Sequence, residues 1–258
     1  SEQRERVPEQ FRLDETTQRP NPNLGEIELC RIHLALGEVQ LQMPAQPMQP
    51  STAQPNLLHR LPAKMRSLSY LRIALLTPQP NRTFQNFNRL TESLSALYPS
   101  LQCTVEPLND FTALGQYGLV YVQPRQLSAL GRLGCEALQQ YVAVGGNLLF
   151  EAAGDEQLSR EAIAQLWPQK ALQPINADHA LKTQPFLFGQ LPVVNEEEIK
   201  LLYCDGLLLL SERLSERWSV EDSQDVPVPR EAIRAAHEFG INLLKFAWQR
   251  RQLYELFQ

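Results

Sequence analysis

Short apolar runs alternate with amphipathic stretches between residues 68 and 152, and this alternation limits the possible folds more than any other feature. The first run is Leu71-Arg-Ile-Ala-Leu-Leu76 and the last is Asn147-Leu-Leu-Phe-Glu-Ala152. Runs of this kind are typical of strands buried on both faces of a parallel sheet. Two more strands are predicted between them, at Gln102 to Pro107 and at Gly118 to Gln123.

The stretches between these strands have the apolar spacing of helices. The stripe of the first helix is formed by Phe84, Phe87, Leu90, Leu94 and Leu97. The stripe of the second is formed by Leu127, Leu130, Leu133, Ala137 and Tyr141, with Leu138 at its margin. Gly145-Gly146 supplies the left-handed residues that end such a helix. The order strand, helix, strand, strand, helix, strand predicts an α/β domain with a doubly wound, mainly parallel sheet of the flavodoxin-like kind.

The C-terminal part predicts three further elements. Glu156 to Leu166 has the spacing of a helix. The apolar stretches within residues 199–210 predict a hairpin that turns through Cys204-Asp205-Gly206. A last long helix is predicted to open near Pro227 and Pro229, because proline is tolerated in a first helical turn.

The N-terminal part is rich in proline, and the segment from Met43 to Pro55 disfavours any regular element. Within it, Glu26 to Leu36 alternates as a single strand would. An isolated strand is unstable in water, so it must pair with the main sheet or with a missing portion of a longer chain. The predicted organisation is an extended arm at 1–66, with a strand near 26–36, and one α/β domain at 67–258.

Charge and hydropathy narrow the possible functions. With 24 basic and 29 acidic residues the formal net charge is -5, so the chain lacks the concentrated positive field that nucleic-acid binding needs. It has no long apolar run, and its first residues are charged and polar. These patterns predict a soluble, cytoplasmic protein with no membrane span and no nucleic-acid partner.

The cysteines do not have the spacing of a metal site or of a disulfide framework. Cys30, Cys103, Cys135 and Cys204 are far apart, and none belongs to a CxxC pair. Each has apolar neighbours in the sequence, so all four are interpreted as small buried hydrophobes. Neither a metal nor another cofactor is predicted.

Several segments together resemble a known family. They are the first strand Leu71 to Thr77, the phrase Tyr141-Val-Ala-Val-Gly-Gly-Asn-Leu-Leu-Phe150, Gln184 to Phe188 before Leu191-Pro192, the turn Asp205-Gly206, and Phe239-Gly-Ile-Asn-Leu-Leu244. The order of elements resembles the class I glutamine amidotransferase-like fold, and more specifically the family of domains called DUF4159. The resemblance spans about residues 68 to 250. It implies a fold and says almost nothing about activity.

The arm has a resemblance of its own. Phe11-Arg-Leu-Asp-Glu15 and Glu26-Ile-Glu-Leu-Cys-Arg-Ile32 look like the end of a β-rich region that precedes this domain in long cyanobacterial proteins. That region is itself similar to baseplate components of phage-tail-like assemblies. The resemblance implies that the chain is the C-terminal part of a scaffold protein.

Enzymes of the implied fold carry a cysteine on a tight strand-to-helix turn, where a nearby base activates the thiol. In this chain the turn after the fourth strand reads Phe150-Glu-Ala-Ala-Gly-Asp155 and contains neither Cys nor Ser. Cys135 is predicted inside a helix and Cys103 at the start of a strand. Thiol hydrolysis is therefore not expected.

Polar residues could still form a ligand pocket. Glu151 and Asp155 follow a central strand at the carboxyl edge, where doubly wound sheets bind ligands, although loop solvation and helix capping are alternative roles. Thr77-Pro-Gln-Pro80 has prolines where a phosphate loop needs free N–H groups, which disfavours nucleotide binding. The candidate pocket residues are Thr77, Gln123, Glu151, Asp155 and Asp205.

Two functions from different classes fit these patterns. The first is a non-catalytic module that binds other proteins, with the arm as tether and strand donor. The second is a small-molecule-binding protein or a hydrolase that uses carboxylates at the carboxyl edge. Carboxylates with raised pKa values around one pocket would favour the second.

Overall fold

The computed structural model describes residues 30–34, 40–44, 46, 48–57, 69–219 and 228–257. Residues 26–29 and 35–36 of the predicted arm strand lie outside this part of the chain, as does Pro227. All structural statements below concern the described residues.

The arm contains a small pair of strands. Strand β1 (Arg31–Ile32) pairs antiparallel with β2 (Pro55–Asn56), so the strand predicted near Cys30 has a partner inside the arm. Met48, between the two strands, is 6% exposed and belongs to the main hydrophobic core. This part of the arm is therefore attached to the α/β domain by apolar packing.

Among the described residues, seven strands form the central sheet. In chain order they are β3 (Ser69–Leu76), β4 (Leu101–Pro107), β5 (Leu119–Val122), β6 (Asn147–Glu151), β7 (Gln173–Pro174), β10 (Leu201–Cys204) and β11 (Leu207–Leu210). Strands β8 (Val193–Val194) and β9 (Glu197–Glu198) form a separate antiparallel hairpin. The sheet thus continues beyond the four strands predicted in its N-terminal half.

The strand order across the sheet is β4-β3-β5-β6-β11-β10-β7. The first five of these strands are parallel to one another, and β10 and β7 add antiparallel pairs at one edge. The prediction of an α/β fold around a mainly parallel sheet is confirmed. The predicted hairpin is confirmed too, and its second strand β11 extends the parallel part of the sheet by pairing with β6.

Helices cover both faces of the sheet. On one face lie α1 (Pro80–Leu97), α5 (Ala180–Thr183) and α6 (Arg230–Phe257), and on the other lie α2 (Pro124–Leu127), α3 (Arg132–Ala143) and α4 (Glu156–Leu166). The described ranges also contain two 3-10 helices, Phe111–Gln116 and Leu214–Arg217. None of the helices in the described ranges is long and apolar enough to cross a bilayer.

The second predicted helix differs from the structure in which of its residues face the core. The stretch is divided into α2 and α3 by a break at residues 128–131, so the apolar stripe does not run through it. Leu133 is 82% exposed, whereas Leu138, which was predicted at the margin, is fully buried together with Tyr141 and Val142. The prediction for Leu133 was wrong because a helix that restarts at Arg132 has its own angular phase.

Truncation of these two leucines should separate the buried face of α3 from the exposed one. Leu138→Ala should lower the free energy of unfolding by about 2–5 kcal/mol, since it leaves a cavity in the core. Leu133→Ala removes the same atoms from an exposed site and should change it by less than about 0.5 kcal/mol. Urea unfolding of both variants measures the difference, and equal losses would contradict the assigned face.

Candidate functional site

The carboxylate of Glu151 lies buried at the carboxyl end of β6 and is bound by three donors. Its Oε2 accepts from the Tyr121 hydroxyl at 3.0 Å and from Ser215 Oγ at 2.6 Å, and its Oε1 accepts from the Ser215 backbone N–H at 2.7 Å. Glu151 is 3% exposed. Burial raises its pKa to about 7, although these hydrogen bonds act in the opposite direction. Glu151 therefore joins β5, β6 and the 3-10 helix at 214–217.

The 3-10 helix is fixed by one buried side and presents its other side outward. Leu214, Ser215 and Trp218 are buried, and Trp218 Nε1 donates to the Ala236 carbonyl in α6 at 3.0 Å. The Trp218 ring also contacts Phe87 of α1, with ring centroids 5.0 Å apart. Anchored in this way, the short helix holds the polar residues between its buried positions toward solvent.

Those polar residues line a cavity of about 670 Å³ beside the carboxyl edge. Its walls come from the first turns of α1, the loop after β6, the turn between β8 and β9, and the segment after β11. The lining side chains that carry charge are Arg82, Glu212, Arg213, Glu216 and Arg217. The cavity also has the polar residues Gln85, Asn195 and Ser219 in its lining.

The charged side chains of this cavity are not paired one to one. Glu216 accepts from Arg213 at 3.3 Å and lies 3.6 Å from Arg82, so one carboxylate serves two guanidinium groups. Arg217 Nη2 donates to the amide oxygen of Asn195 at 3.3 Å. In the part of the chain that the structure describes, Arg217 has no carboxylate within ion-pair distance.

Two turns with left-handed backbone border the cavity. Ala153 has φ 55° and Gly154 has φ 86°, and the Asp155 N–H donates to the Ala152 carbonyl at 3.1 Å, which closes a two-residue turn between β6 and α4. Asn195, in the β8–β9 turn, has φ 53°. A left-handed alanine costs roughly 1–2 kcal/mol, and strained residues of this kind cluster at functional sites. Ala153 and Asn195 both line the cavity.

The structure places four of the five predicted site residues near the carboxyl edge, but none of them lines this cavity. Thr77 follows β3, and its Oγ1 accepts from the Gln79 N–H at 3.3 Å. Gln123 follows β5 and opens α2. Asp155 caps α4 by accepting from the Leu158 N–H at 3.2 Å, which is the capping role weighed as the alternative. Glu151 is buried behind the cavity wall.

The fifth residue, Asp205, lies at the opposite end of the parallel strands, where they begin. Strand β11 runs parallel to β6, so the turn that precedes β11 is at the amino end of the sheet. There Asp205 accepts from Arg250 at 2.6 Å, from Lys170 at 2.5 Å and from the Tyr254 hydroxyl at 2.9 Å. Arg250 is 1% exposed and also donates to the Gly146 carbonyl. Asp205 therefore ties α6 to the sheet and does not join the other four residues.

The thiols are not arranged for nucleophilic chemistry. Burial raises the pKa of Cys103 to about 12 and raises that of Cys204, which keeps both thiols protonated. The interpretation of all four cysteines as buried hydrophobes is wrong for Cys30, which is exposed, and Cys103, Cys135 and Cys204 are only partly buried. Within the described ranges no three His, Cys, Asp or Glu side chains are grouped to hold a metal ion.

Sequence reasoning missed the arginines of the cavity, although a signal was present. The segment after β11 reads Ser211-Glu-Arg-Leu-Ser-Glu-Arg-Trp218, in which the triplet Ser-Glu-Arg occurs twice. It follows a buried strand at its carboxyl end, where ligand-binding residues of α/β sheets are found. Arg82 gave no comparable signal, because an arginine in the first turn of a helix is common on solvated surfaces.

The fold and the cavity define an α/β protein with a polar, arginine-lined pocket beside the carboxyl edge of its parallel sheet. The sequence model of the family described as "Domain of unknown function (DUF4159)" matches residues 82–248, which is more than half of the chain. The chain therefore belongs to the DUF4159 family, as its motifs predict.

A solved structure that is similar to this chain is described as a thua-like protein from Bacteroides uniformis. The sequences are 15% identical, the TM-score is 0.31, and the similarity covers 56% of this chain and 65% of that one. The chain thus spans less than two thirds of the length of that protein. No curated protein matches the sequence.

The raised pKa of Glu151 should make stability depend on pH. Because its pKa is about 7 in the folded state and 4.5 in a model peptide, the folded state binds the proton more tightly, and this stabilising contribution is lost as pH rises toward 7. The loss should approach roughly 3 kcal/mol. Glu151→Gln should remove that decline in urea unfolding between about pH 5 and about pH 8.

Glu136→Gln is the control for this measurement, because Glu136 is a half-exposed carboxylate on α3. It should keep the wild-type dependence of unfolding free energy on pH. An undiminished decline in Glu151→Gln would mean that another group causes it.

Loss of the Asp205 charge should leave Arg250 buried without its counterion. Asp205→Asn keeps a residue that tolerates the left-handed turn at φ 37°, so it tests the charge rather than the backbone. We expect the free energy of unfolding to fall by about 3–5 kcal/mol. Combined with Arg250→Met, the double variant should lose less than the sum of the two single losses. Strict additivity in denaturant unfolding would show that the two side chains are not coupled.

Proposed function

We propose that this chain is a non-catalytic binding module with a class I glutamine amidotransferase-like fold, and that its arginine-lined pocket docks part of another protein. The observation that carries the proposal is Ala153. It occupies the exposed, left-handed position of the turn between β6 and α4 and lines the pocket. In hydrolases with a nucleophile on such a strand-to-helix turn, this is the position of the reactive side chain. Alanine there has no group that could attack a substrate.

The sheet order supports the finer description of the fold. If the five parallel strands are renumbered by their appearance in the chain, the order becomes 2-1-3-4-5. Flavodoxin-like doubly wound sheets have this order, and they bind ligands outside the carboxyl ends of their strands. The pocket lies on that side of the sheet, next to the ends of β6 and β11.

The positions of the acidic residues favour binding over hydrolysis. Glu151 is buried and engaged by Tyr121 and Ser215, Asp155 caps a helix, and Asp205 lies at the far edge. A hydrolase that works through a pair of carboxylates needs both groups on either side of one scissile bond. The hydrolase alternative therefore has no convergent pair among the predicted carboxylates.

A small-molecule ligand is the second candidate, and the volume of the cavity favours it. Pockets for small ligands have volumes of about 300–1,000 Å³, and this cavity has about 670 Å³. Its lining is polar and contains three arginines, which are also enriched at protein interfaces. Both candidates use the same surface and neither requires turnover.

An activity assay separates the proposed binding module from an enzyme. The purified chain should release no ammonia from glutamine and no product from simple esters. In a Cys30→Ser background, which removes the exposed native thiol, Ala153→Cys should add a thiol that iodoacetamide alkylates but that still fails to hydrolyse glutamine, since no histidine lines the described pocket to activate it. Turnover of either substrate by the wild type would overturn the proposal.

A binding measurement tests the docking role directly. Immobilised wild-type chain should retain a defined set of proteins from an extract of the source cells. Arg132→Gln should retain the same set, because Arg132 is 89% exposed on α3, outside the pocket. Arg213→Gln should lose them. Equal retention by Arg213→Gln would show that the pocket is not the docking surface.

A further inference from the structure

Resting on the proposed function, we infer that the pocket recognises a carboxylate group, with Arg217 as the residue that binds it. Among the described residues of the pocket, three arginines outnumber two glutamates. Glu216 already engages two of the arginines, Arg82 and Arg213. Arg217 is left with an amide as its partner, although its charge could form a stronger pair with an anion.

Arg217 is held for this role by residues that do not enter the pocket. Its neighbours Ser215 and Trp218 are buried, the first bound to Glu151 and the second to the Ala236 carbonyl. The side chain therefore extends from a short helix whose backbone is fixed on both sides. Preorganisation of this kind reduces the ordering cost when a ligand binds.

Asn195 completes the arrangement on the opposite wall. It lies at the tip of the β8–β9 turn with a left-handed backbone, and its side-chain oxygen accepts from Arg217. An incoming carboxylate would replace this neutral acceptor with a charged one. The released Asn195 amide could then donate to the ligand or turn to solvent.

The balance of charge favours a carboxylate over a phosphate. Among the described lining residues the charges sum to a single surplus positive charge, because Glu212 and Glu216 oppose the three arginines. A carboxylate carries one negative charge and matches the planar fork of a guanidinium. A phosphate dianion would bring more negative charge toward the two glutamates. An acidic side chain of a partner protein and a free dicarboxylate both present the required group.

Binding of defined probes tests this inference. The full chain is titrated with succinate, with a glutamate peptide that has blocked ends, with succinamide, and with inorganic phosphate, by calorimetry. We expect at least one of the two carboxylate probes to bind, more weakly as salt rises, and succinamide not to bind. Arg217→Gln should weaken that binding at least about tenfold, as expected for loss of a charge-assisted hydrogen bond. Arg132→Gln, on the surface of α3, should bind as the wild type does.

The probes distinguish the source of the carboxylate. Binding of the peptide alone indicates an acidic segment of a partner protein, and binding of succinate alone indicates a free metabolite. Failure of both carboxylate probes, equal binding by folded Arg217→Gln, tighter binding of phosphate, or equal binding of succinamide would overturn the inference. Failure of the proposed function would be detected separately, as substrate turnover in the activity assay. Unchanged far-UV circular dichroism of Arg217→Gln establishes that the variant is folded.

Discussion

The carboxylate of Glu151, buried at the end of β6, organises the region around the pocket. A buried carboxylate is costly unless its oxygens receive hydrogen bonds, and Tyr121 and Ser215 supply them. In satisfying that requirement, the chain fixes the segment after β11 against the sheet. The outward residues of this segment then form one wall of the pocket. A group that resembles a catalytic acid by burial and raised pKa has a structural role here, because both of its oxygens are occupied by the protein.

The opposite edge of the sheet depends on a second buried charge. Arg250 of α6 binds Asp205 and the Gly146 carbonyl, and Tyr254 packs over its guanidinium at 4.5 Å. This cluster ties the last helix to the turn between β10 and β11. The cavity and the left-handed residues Ala153 and Asn195 lie beside the carboxyl ends of the strands.

The predicted site residues show what the order of strands in the sequence can locate and what it cannot. Glu151 and Asp155 follow a central strand, and the sequence correctly indicates that they lie near the carboxyl edge. Whether a side chain turns into the core or toward a cavity depends on what packs over it, and Ser215 comes from a segment 64 residues away. Asp205 was grouped with them because sequence does not give the direction in which a later hairpin joins the sheet. Its distance from the others follows from the parallel pairing of β11 with β6.

The sequence by itself determined the α/β class, the positions of the main strands and of α1, α4 and α6, the DUF4159 membership, and the absence of Cys or Ser from the turn after β6. These depend on local apolar spacing and on motifs, which are properties of neighbouring residues. The tertiary structure decided the phase of α3, the role of Glu151, the edge on which Asp205 lies, and the meeting of Arg82, Arg213 and Arg217. Arg213 and Arg217 belong to one segment and Arg82 to another, and the packing that brings the two segments together leaves no periodic signal in the chain.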